Sequence, residues 1–528
     1  MSLDETYERV LKEIVMANQH HAYRLLQCLT VASRPLRVQE LAEVLALDFD
    51  GANDGIPELK EDWRWKDQQE AVLSTCSSLI AVVDNGRHCV VQFSHFSVKE
   101  FLTSDRLASS ADVSHFYIPP EPAHTVIVKA CLGILLQPDN GVGDGKAKSN
   151  SPLAEYAAQH WVGHARFEKV STHIQVGMRR LFDPAKPYFE AWLKLYDIDT
   201  EWYNFVGSFS DNNRHPLYYA SLCGFYDLAA YLVAKHPQHV NAKLGKCLSP
   251  LVAALHKRHF DIAELLYQRG ADVGIWGRDN RTLLHAASAD GSVDIAQWLL
   301  AHGGDANSRK YNSETPLHSA VMHGHFEVVR MLLRYGIIVN AKNNDNRTSL
   351  HLGSERGHVK IVRLLLQHGA DVATQDLRHK TPLHLASSWV SAKILLLQHR
   401  ADVEEQNDGY SSAYRAAKTN AKAEAVQVLC EHGADVTARD DTFSTPLHLA
   451  SSNGSPGIAQ LLIQHGANVN ALDGNRKTPL HLASSRGSPE IARLLIEHGA
   501  DVNTLDGNRE TPLHLASSSV SVKALLTA

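Results

Sequence analysis

Thr315-Pro-Leu-His-Ser-Ala-Val-Met-His-Gly-His-Phe-Glu-Val-Val-Arg-Met-Leu-Leu-Arg-Tyr-Gly336 decides the fold, because it recurs. The phrase Thr-Pro-Leu-His stands intact at Thr315, Thr381, Thr445, Thr478 and Thr511, and weaker copies begin at His215, Ser249, Thr282, Thr348 and Ser412. Successive starts lie 34, 33, 33, 33, 33, 31, 33, 33 and 33 residues apart. Each part of the phrase has a physical reason. Thr315 can accept a hydrogen bond from a free N–H of a helix's first turn. Pro316 fits the first helical position, where its missing N–H costs nothing. Leu317 and Ala320 are three apart and share a face. Gly324-His325 breaks this short helix. Val328, Val329, Leu332 and Leu333 then form the apolar stripe of a second helix, and Gly336 stands where a left-handed cap is wanted. One such helix pair cannot bury its stripe alone, so neighbours must stack.

This pattern resembles the ankyrin repeat, a turn and two helices of about 33 residues. The expected fold is mostly α: a winged-helix domain, a helical connector and a C-terminal solenoid of about ten units over residues 211–528. The resemblance implies a curved stack whose concave face, built from first helices and hairpin tips, grips other proteins. Two departures stand out. The copy at Thr381 lacks two residues between its helices and carries Arg400 where glycine is expected, and the next has Ala413 and Arg415 in place of Pro and His. A local distortion over residues 388–415 is therefore expected. The last copy stops at Ala528 inside its second helix, so an uncapped, truncated end is expected as well.

No such period is visible before residue 211. Leu25, Leu26 and Leu29 mark a helix over 21–32. Val38, Leu41, Ala42 and Leu45 mark a second, and residues 70–78 a third. A β-like run over 79–83 meets Asn85-Gly86, a tight-hairpin signal, and returns over 88–93. Ser97 with Glu100 reads as a capping box opening a helix over 98–107. Helix, helix, helix, hairpin, helix is the plan of a winged helix. The wording Ser2-Leu-Asp-Glu-Thr-Tyr-Glu-Arg-Val, Arg24-Leu-Leu-Gln-Cys-Leu and Phe93-Ser-His-Phe-Ser-Val-Lys-Glu-Phe-Leu resembles fungal NACHT-type signal-transducing ATPases that carry ankyrin repeats. The winged helix there is of the GPI inositol-deacylase type. A connector follows, marked by Leu153-Ala-Glu-Tyr-Ala-Ala-Gln-His-Trp and Leu181-Phe-Asp-Pro. The resemblance implies a winged-helix domain with a leading helix at 1–115, a helical connector at 116–210 and repeats at 211–528, with the chain beginning where the family's ATPase core would end.

Several chemistries lack their residues. A P-loop needs Gly-x-x-x-x-Gly-Lys-Ser/Thr, yet Gly145-Lys146 is followed by Ala147 and has Asn140 at the first position. A nucleophile elbow needs Gly-x-Ser-x-Gly, and Asn453-Gly-Ser-Pro-Gly457 fails at its first residue. Of the 31 histidines, seven are the His of the repeat phrase and others, such as His302, His368 and His465, sit at helix ends, without metal-ligand spacing. No cofactor or metal is expected, and no enzyme activity. The chain's 528 residues carry a formal charge of only −6, which gives no global attraction to nucleic acid. The third helix of the winged domain also lacks Arg and Lys, so DNA binding through it is the alternative reading, not the leading one. No apolar run is long enough to span a bilayer. Met1 to Arg9 shows no signal-peptide core, and the seven scattered cysteines suggest reduced thiols. A cytoplasmic or nuclear protein without a membrane or small-molecule partner is expected.

The expected partner-binding side chains fall in two sets. Trp276, Arg278, Tyr311, Leu377, Arg378, Tyr410 and Phe443 sit at predicted hairpin tips. Met322, His323, Glu355, Arg356, Trp389 and Arg486 sit near the ends of first helices. Large aromatics and arginine are the residue types that dominate binding energy at interfaces.

Overall fold

A computed structural model describes residues 3–51, 55–76, 78–86, 88–137, 151–199, 215–242, 249–274, 281–387, 422–517 and Leu525. The chain divides into two compact units, Met1–Asp272 and Val273–Ala528.

In the first unit, α1 (Leu3–Glu13) is followed by α2 (Gln19–Val31), β1 (Leu36–Arg37), α3 (Val38–Leu45) and a short β2–β3 pair (Leu47–Asp48, Glu58–Leu59). Then come α4 (Gln68–Cys76), β4 (Ile80–Asp84) and β5 (Cys89–Phe93). β4 and β5 form the expected antiparallel hairpin, Ile80 opposite Phe93, and β1 joins its far edge to give the order β1-β5-β4. Leu25, Leu26, Leu41, Val44, Val72, Leu79 and Val91 make the core beneath.

The expected helix over 98–107 is corrected to two, α5 (Phe96–Leu102) and α6 (Asp105–Ala108). The Ser97–Glu100 capping box does not form. Ser97 Oγ is engaged by Tyr7 Oη at 2.7 Å and His95 Nδ1 at 2.6 Å, so His95 caps α5 and Ser104 caps α6.

Two buried carboxylates organise α3. Glu40, fully buried, takes a two-pronged bond from Arg34 (2.8 and 2.6 Å) and a third from Arg37 N–H (2.7 Å). Glu43 accepts from Arg64 (2.6 Å), Ser151 Oγ (2.6 Å) and Leu153 N–H (2.8 Å), so it ties the winged domain to the connector just ahead of its helix Ala154–Ala165.

The connector helices are α7 (Pro120–Leu135), α8 (Ala154–Ala165), α9 (Val170–His173), α10 (Gln175–Leu181) and α11 (Tyr188–Leu195). Their core is aromatic. Trp161 meets Trp192 edge-on at 5.3 Å, and Trp192 donates to Ala158 O at 3.0 Å. The cluster runs on into the first repeat, where Phe225 stacks on Trp161 (5.4 Å) and Tyr219 meets Phe189 (5.4 Å). The connector thus covers an apolar face that the first repeat would otherwise show to water, the role of a solenoid cap.

The second unit stacks helix pairs such as Leu283–Asp290 with Val293–Ala301, Pro316–Met322 with Phe326–Arg334, and Pro479–Arg486 with Pro489–Glu497. Between consecutive repeats a histidine Nε2–H donates to a carbonyl 29 residues on: His318 to Arg347 O (3.1 Å), His351 to Lys380 O (3.1 Å), His448 to Lys477 O (3.0 Å). At His384 the same bond goes to Ser444 O, 60 residues on, at 3.2 Å. Three further contacts shift alike: Asp441 N–H donates to Arg378 O at 2.9 Å, Lys380 approaches Asp440 at 3.9 Å, and Arg363 approaches Glu424 at 3.8 Å. The first helix of the Thr381 copy therefore lies directly against that of the Thr445 copy, and the second helix beginning near Lys422 completes the pair. Thr381 and Thr445 are 64 residues apart, 31 more than one repeat. The stretch 388–415, with the distortion expected of it, lies outside the described residues, but its flanks meet in regular register.

Two outcomes follow. Arg34→Met leaves Glu40 buried without its main cation and is expected to cost about 3 kcal/mol in denaturant unfolding followed by tryptophan fluorescence, while adding Glu40→Leu restores most of it. Deleting 388–418 brings Thr381 and Thr445 to the standard spacing. Stability should hold or rise by up to roughly 2 kcal/mol, because a shorter connection costs less entropy to close. A loss of several kcal/mol, or loss of cooperative unfolding, would show that the removed residues belong to the stack.

Candidate functional site

The exposed side chains of the second unit stand on a frame set by two local motifs. In the first, a buried threonine and histidine clasp each other at the start of the first helix. Thr315 N–H donates to His318 Nδ1 at 3.2 Å, and Thr315 Oγ1 lies 2.8 Å from the same nitrogen. The same pairing holds for Thr282, Thr348, Thr381, Thr445, Thr478 and Thr511. Because Nδ1 accepts, the ring proton sits on Nε2 and is given to the next repeat. Burial and this geometry hold the imidazoles neutral: His285 and His351 are pushed down to about 4, and His318, His384, His448 and His481 are lowered too, burial being the main cause.

The second motif shapes the hairpin tips. A buried Asp or Asn folds its carboxyl or amide oxygen over its own turn. Asp376 Oδ1 accepts from Arg378 N–H (2.8 Å) and Lys380 N–H (2.9 Å), and Asp440, Asp473, Asp506 and Asn343 act alike. Backbone bonds then tie tip to tip: Asn344 N–H to Asn312 O, Leu377 N–H to Asp345 O, Gly474 N–H to Thr442 O and Gly507 N–H to Asn475 O. Each tip holds one non-glycine residue in the left-handed region: Ser313, Asn346, His379, Phe443, Arg476 and Arg509, with φ between 56° and 64°. A branched or bulky L-residue there costs about 1 kcal/mol relative to glycine.

On this frame, Tyr311 is 82% exposed, Leu377 60% and Phe443 57%. Arg378 is exposed beside Leu377. These four share the tip ridge, and the skipped register brings the tips of Leu377 and Phe443 together as neighbours although 66 residues separate them in sequence. At the first-helix ends, Met322 and Arg356 are partly exposed, and His323 and Arg486 exposed. His323 is turned to Ser319 O at 2.9 Å, and Glu355 is held by Arg347 at 3.4 Å, so both have internal partners. Trp276, Arg278, Trp389 and Tyr410 lie outside the described residues. The sequence reading passed over Arg476 and Arg509. Their signal was positional: each stands two residues before a Thr-Pro-Leu-His phrase, where Phe443 also stands. It also passed over a cleft of about 530 Å³ in the winged domain, lined by Arg24, Phe49, Trp63 and Trp65.

Comparison with known proteins agrees with this architecture. Residues 9–114 match the family described as "GPI inositol-deacylase, winged helix domain". Ankyrin-repeat families match over 217–376 and 447–528, and over 414–463. The azaphilone pigments biosynthesis cluster protein L of Monascus ruber is 30% identical over 293 residues, covering 51% of this chain and 60% of that protein. Alpha-latrocrustotoxin-Lt1a of Latrodectus tredecimguttatus is 38% identical over 65 residues, 12% of this chain and 5% of the toxin. The chain thus spans less than two thirds of the length of either relative. Among solved structures, the human ASB11 ankyrin repeat domain is 25% identical, covering 47% of this chain and 97% of its own, with a TM-score of 0.38. The ankyrin repeat domain of Bcl-3 is 29% identical, covering 47% and 100%, with a TM-score of 0.37. The chain is mostly helical and joins an N-terminal winged-helix domain to C-terminal ankyrin repeats, a protein-interaction architecture.

The neutral histidines make the stack acid-labile. Their folded pKa lies below the unfolded value of about 6.5, so the unfolded chain binds protons that the stack refuses. Stability should be full above about pH 6.5 and fall as pH drops toward about 4, by roughly 1.4 kcal/mol per histidine per pH unit. Thermal unfolding between pH 7 and pH 4.5 checks this, and a flat profile would contradict it.

Proposed function

We propose that this protein is a non-enzymatic recognition scaffold whose ankyrin stack takes a protein partner on its concave side, along the hairpin tips and first-helix ends. The observation that carries the reading is the pairing of a rigid, bonded frame with exposed anchors. Tyr311, Leu377 and Phe443 project large apolar surface from tips whose backbones are bonded within each turn and to the neighbouring tip, so little entropy is lost when they are covered. Met322, His323, Arg356 and Arg486 extend this surface along the helix ends, with Glu355 held beside them, and Trp276, Arg278, Trp389 and Tyr410 are assigned to it by sequence position.

The winged-helix domain (1–115) and connector (116–210) are the part that, in NACHT-type relatives, couples recognition to an ATPase switch. In this chain the first repeat meets the connector through the Trp161 cluster, where Phe225 stacks on Trp161; the repeats are read as 211–528. The reading places the protein in the cytoplasm, as a sensor or scaffold in signalling.

Affinity capture with the full chain, compared with a Tyr311→Ala, Leu377→Ala, Phe443→Ala variant, tests this. Specific partners should be lost from the variant at unchanged thermal stability, and a P-loop ATPase among them would support the coupling role. An unchanged partner set would sink the assignment of the tips.

A further inference from the structure

The left-handed position of each tip forms a row, because the tip-to-tip bonds keep the fingers at a constant offset. Neighbouring members are spaced by one helix layer, roughly 10 Å. In the first two described tips the row carries Ser313 and Asn346, residues that tolerate this backbone. From the third it changes to His379, Phe443, Arg476 and Arg509. His379 Nδ1 lies 3.2 Å from Gln375 Oε1. All four are exposed, and the two arginines make neither an ion pair nor a side-chain hydrogen bond among the described residues. Arg378 flanks the row, equally exposed and unpaired.

The carboxylates that fold the turns of the same tips are not available as partners. Asp376, Asp440 and Asp506 are buried at 5%, 6% and 4% exposure, and Asp473 accepts N–H groups of its own turn. Asp441 is the exposed aspartate among these tips. The left-handed row is therefore cationic, with one aromatic ring in it, although Asp441 and the half-exposed Glu510 stand in the same tips and the chain as a whole is acidic. The ring of Phe443 lies beside the side-chain-free Gly474 of the next finger, where an added Cβ would stand 3.7 Å from its Cδ2.

We propose that the row His379–Phe443–Arg476–Arg509, with Arg378 at its flank, is a docking edge for an extended acidic segment of a partner protein. Phe443 offers the apolar anchor, and the arginines pair with carboxylates on either side of it. The row spans roughly 30 Å, the reach of about ten residues of extended chain. This proposal rests on reading the stack as a protein-binding scaffold and names the chemistry of what it binds.

The test is selection of a displayed random peptide library, about ten residues long, against the full chain, followed by affinity measurement of the selected peptides. Peptides rich in Asp and Glu around an apolar residue are expected. Their affinity should fall at least tenfold on Arg476→Glu with Arg509→Glu, and fall again with added salt. Arg476→Gly with Arg509→Gly should lose the same peptides while raising the thermal midpoint, which separates a binding role from a structural one. Selected peptides without acidic bias, or acidic ones that bind the charge-reversed chain equally well, would overturn the proposal and leave the scaffold reading intact. No selected peptide at all would count against both. Displacement of the acidic peptides by duplex DNA at equal charge concentration, with tighter binding of the duplex, would reassign the edge to nucleic acid and overturn it too.

Discussion

A neutral imidazole, clasped by a threonine on one side and donating its only ring proton to the next repeat on the other, sets the spacing of the second unit. The contact satisfies both ring nitrogens of a fully buried group, as burial demands, and it does so between repeats. It fixes the first helices against each other, which in turn fixes where the Asx-type turns begin and where the tips end. The exposed side chains of the candidate surface inherit their spacing from it. In the first unit this contact has no counterpart at Tyr218 and Val252, which occupy the histidine position in the first two copies. Tyr218 donates instead to Asp199 at 3.0 Å, and the aromatic cluster around Trp161 supplies the burial.

Solenoids tolerate lost and gained units because each repeat contacts only its neighbours. The Thr381 copy shows what that tolerance permits. Its histidine, its tip carbonyl and its tip lysine all find the partners that an adjacent repeat provides, but they find them one copy further on. A helix pair composed from two imperfect copies satisfies the ladder where the copy at Ser412, lacking both the proline and the histidine of the phrase, has no imidazole to continue it. The choice of partner follows from chemistry at the ends of the bond, not from distance along the chain.

That distinction also explains what the sequence disclosed. The Thr-Pro-Leu-His phrases, the caps and the hairpin at Asn85-Gly86 are local patterns, so their period and residue types were readable directly, and the exposure of Tyr311, Leu377 and Phe443 followed from their place in the period. The pairing of His384 with Ser444 was not readable, because periodicity treats every copy as a unit of the stack. The cap of α5 was misread for a related reason. Ser97 has the right spacing to Glu100, but Tyr7, 90 residues away, takes its hydroxyl, and a contact over that distance leaves no mark in a local pattern. The ion pair of Glu355 with Arg347, eight residues before it, likewise left no mark in the period.

The left-handed tip residues bring these threads together. A tight turn led by a buried Asp or Asn demands a positive φ three residues on, and glycine or asparagine would meet that demand most cheaply. Among the described residues, neither Arg476 nor Arg509 makes an ion pair or side-chain hydrogen bond that would favour it there. The ladder of histidines is strong enough to hold six such positions in register, and so the stack can carry a strained, cationic edge without losing its shape. Strain of this kind persists where the surroundings over-determine the backbone. Here the surroundings are the repeat itself, which makes the edge a property of the stack's regularity and places its specificity in the few side chains that depart from it.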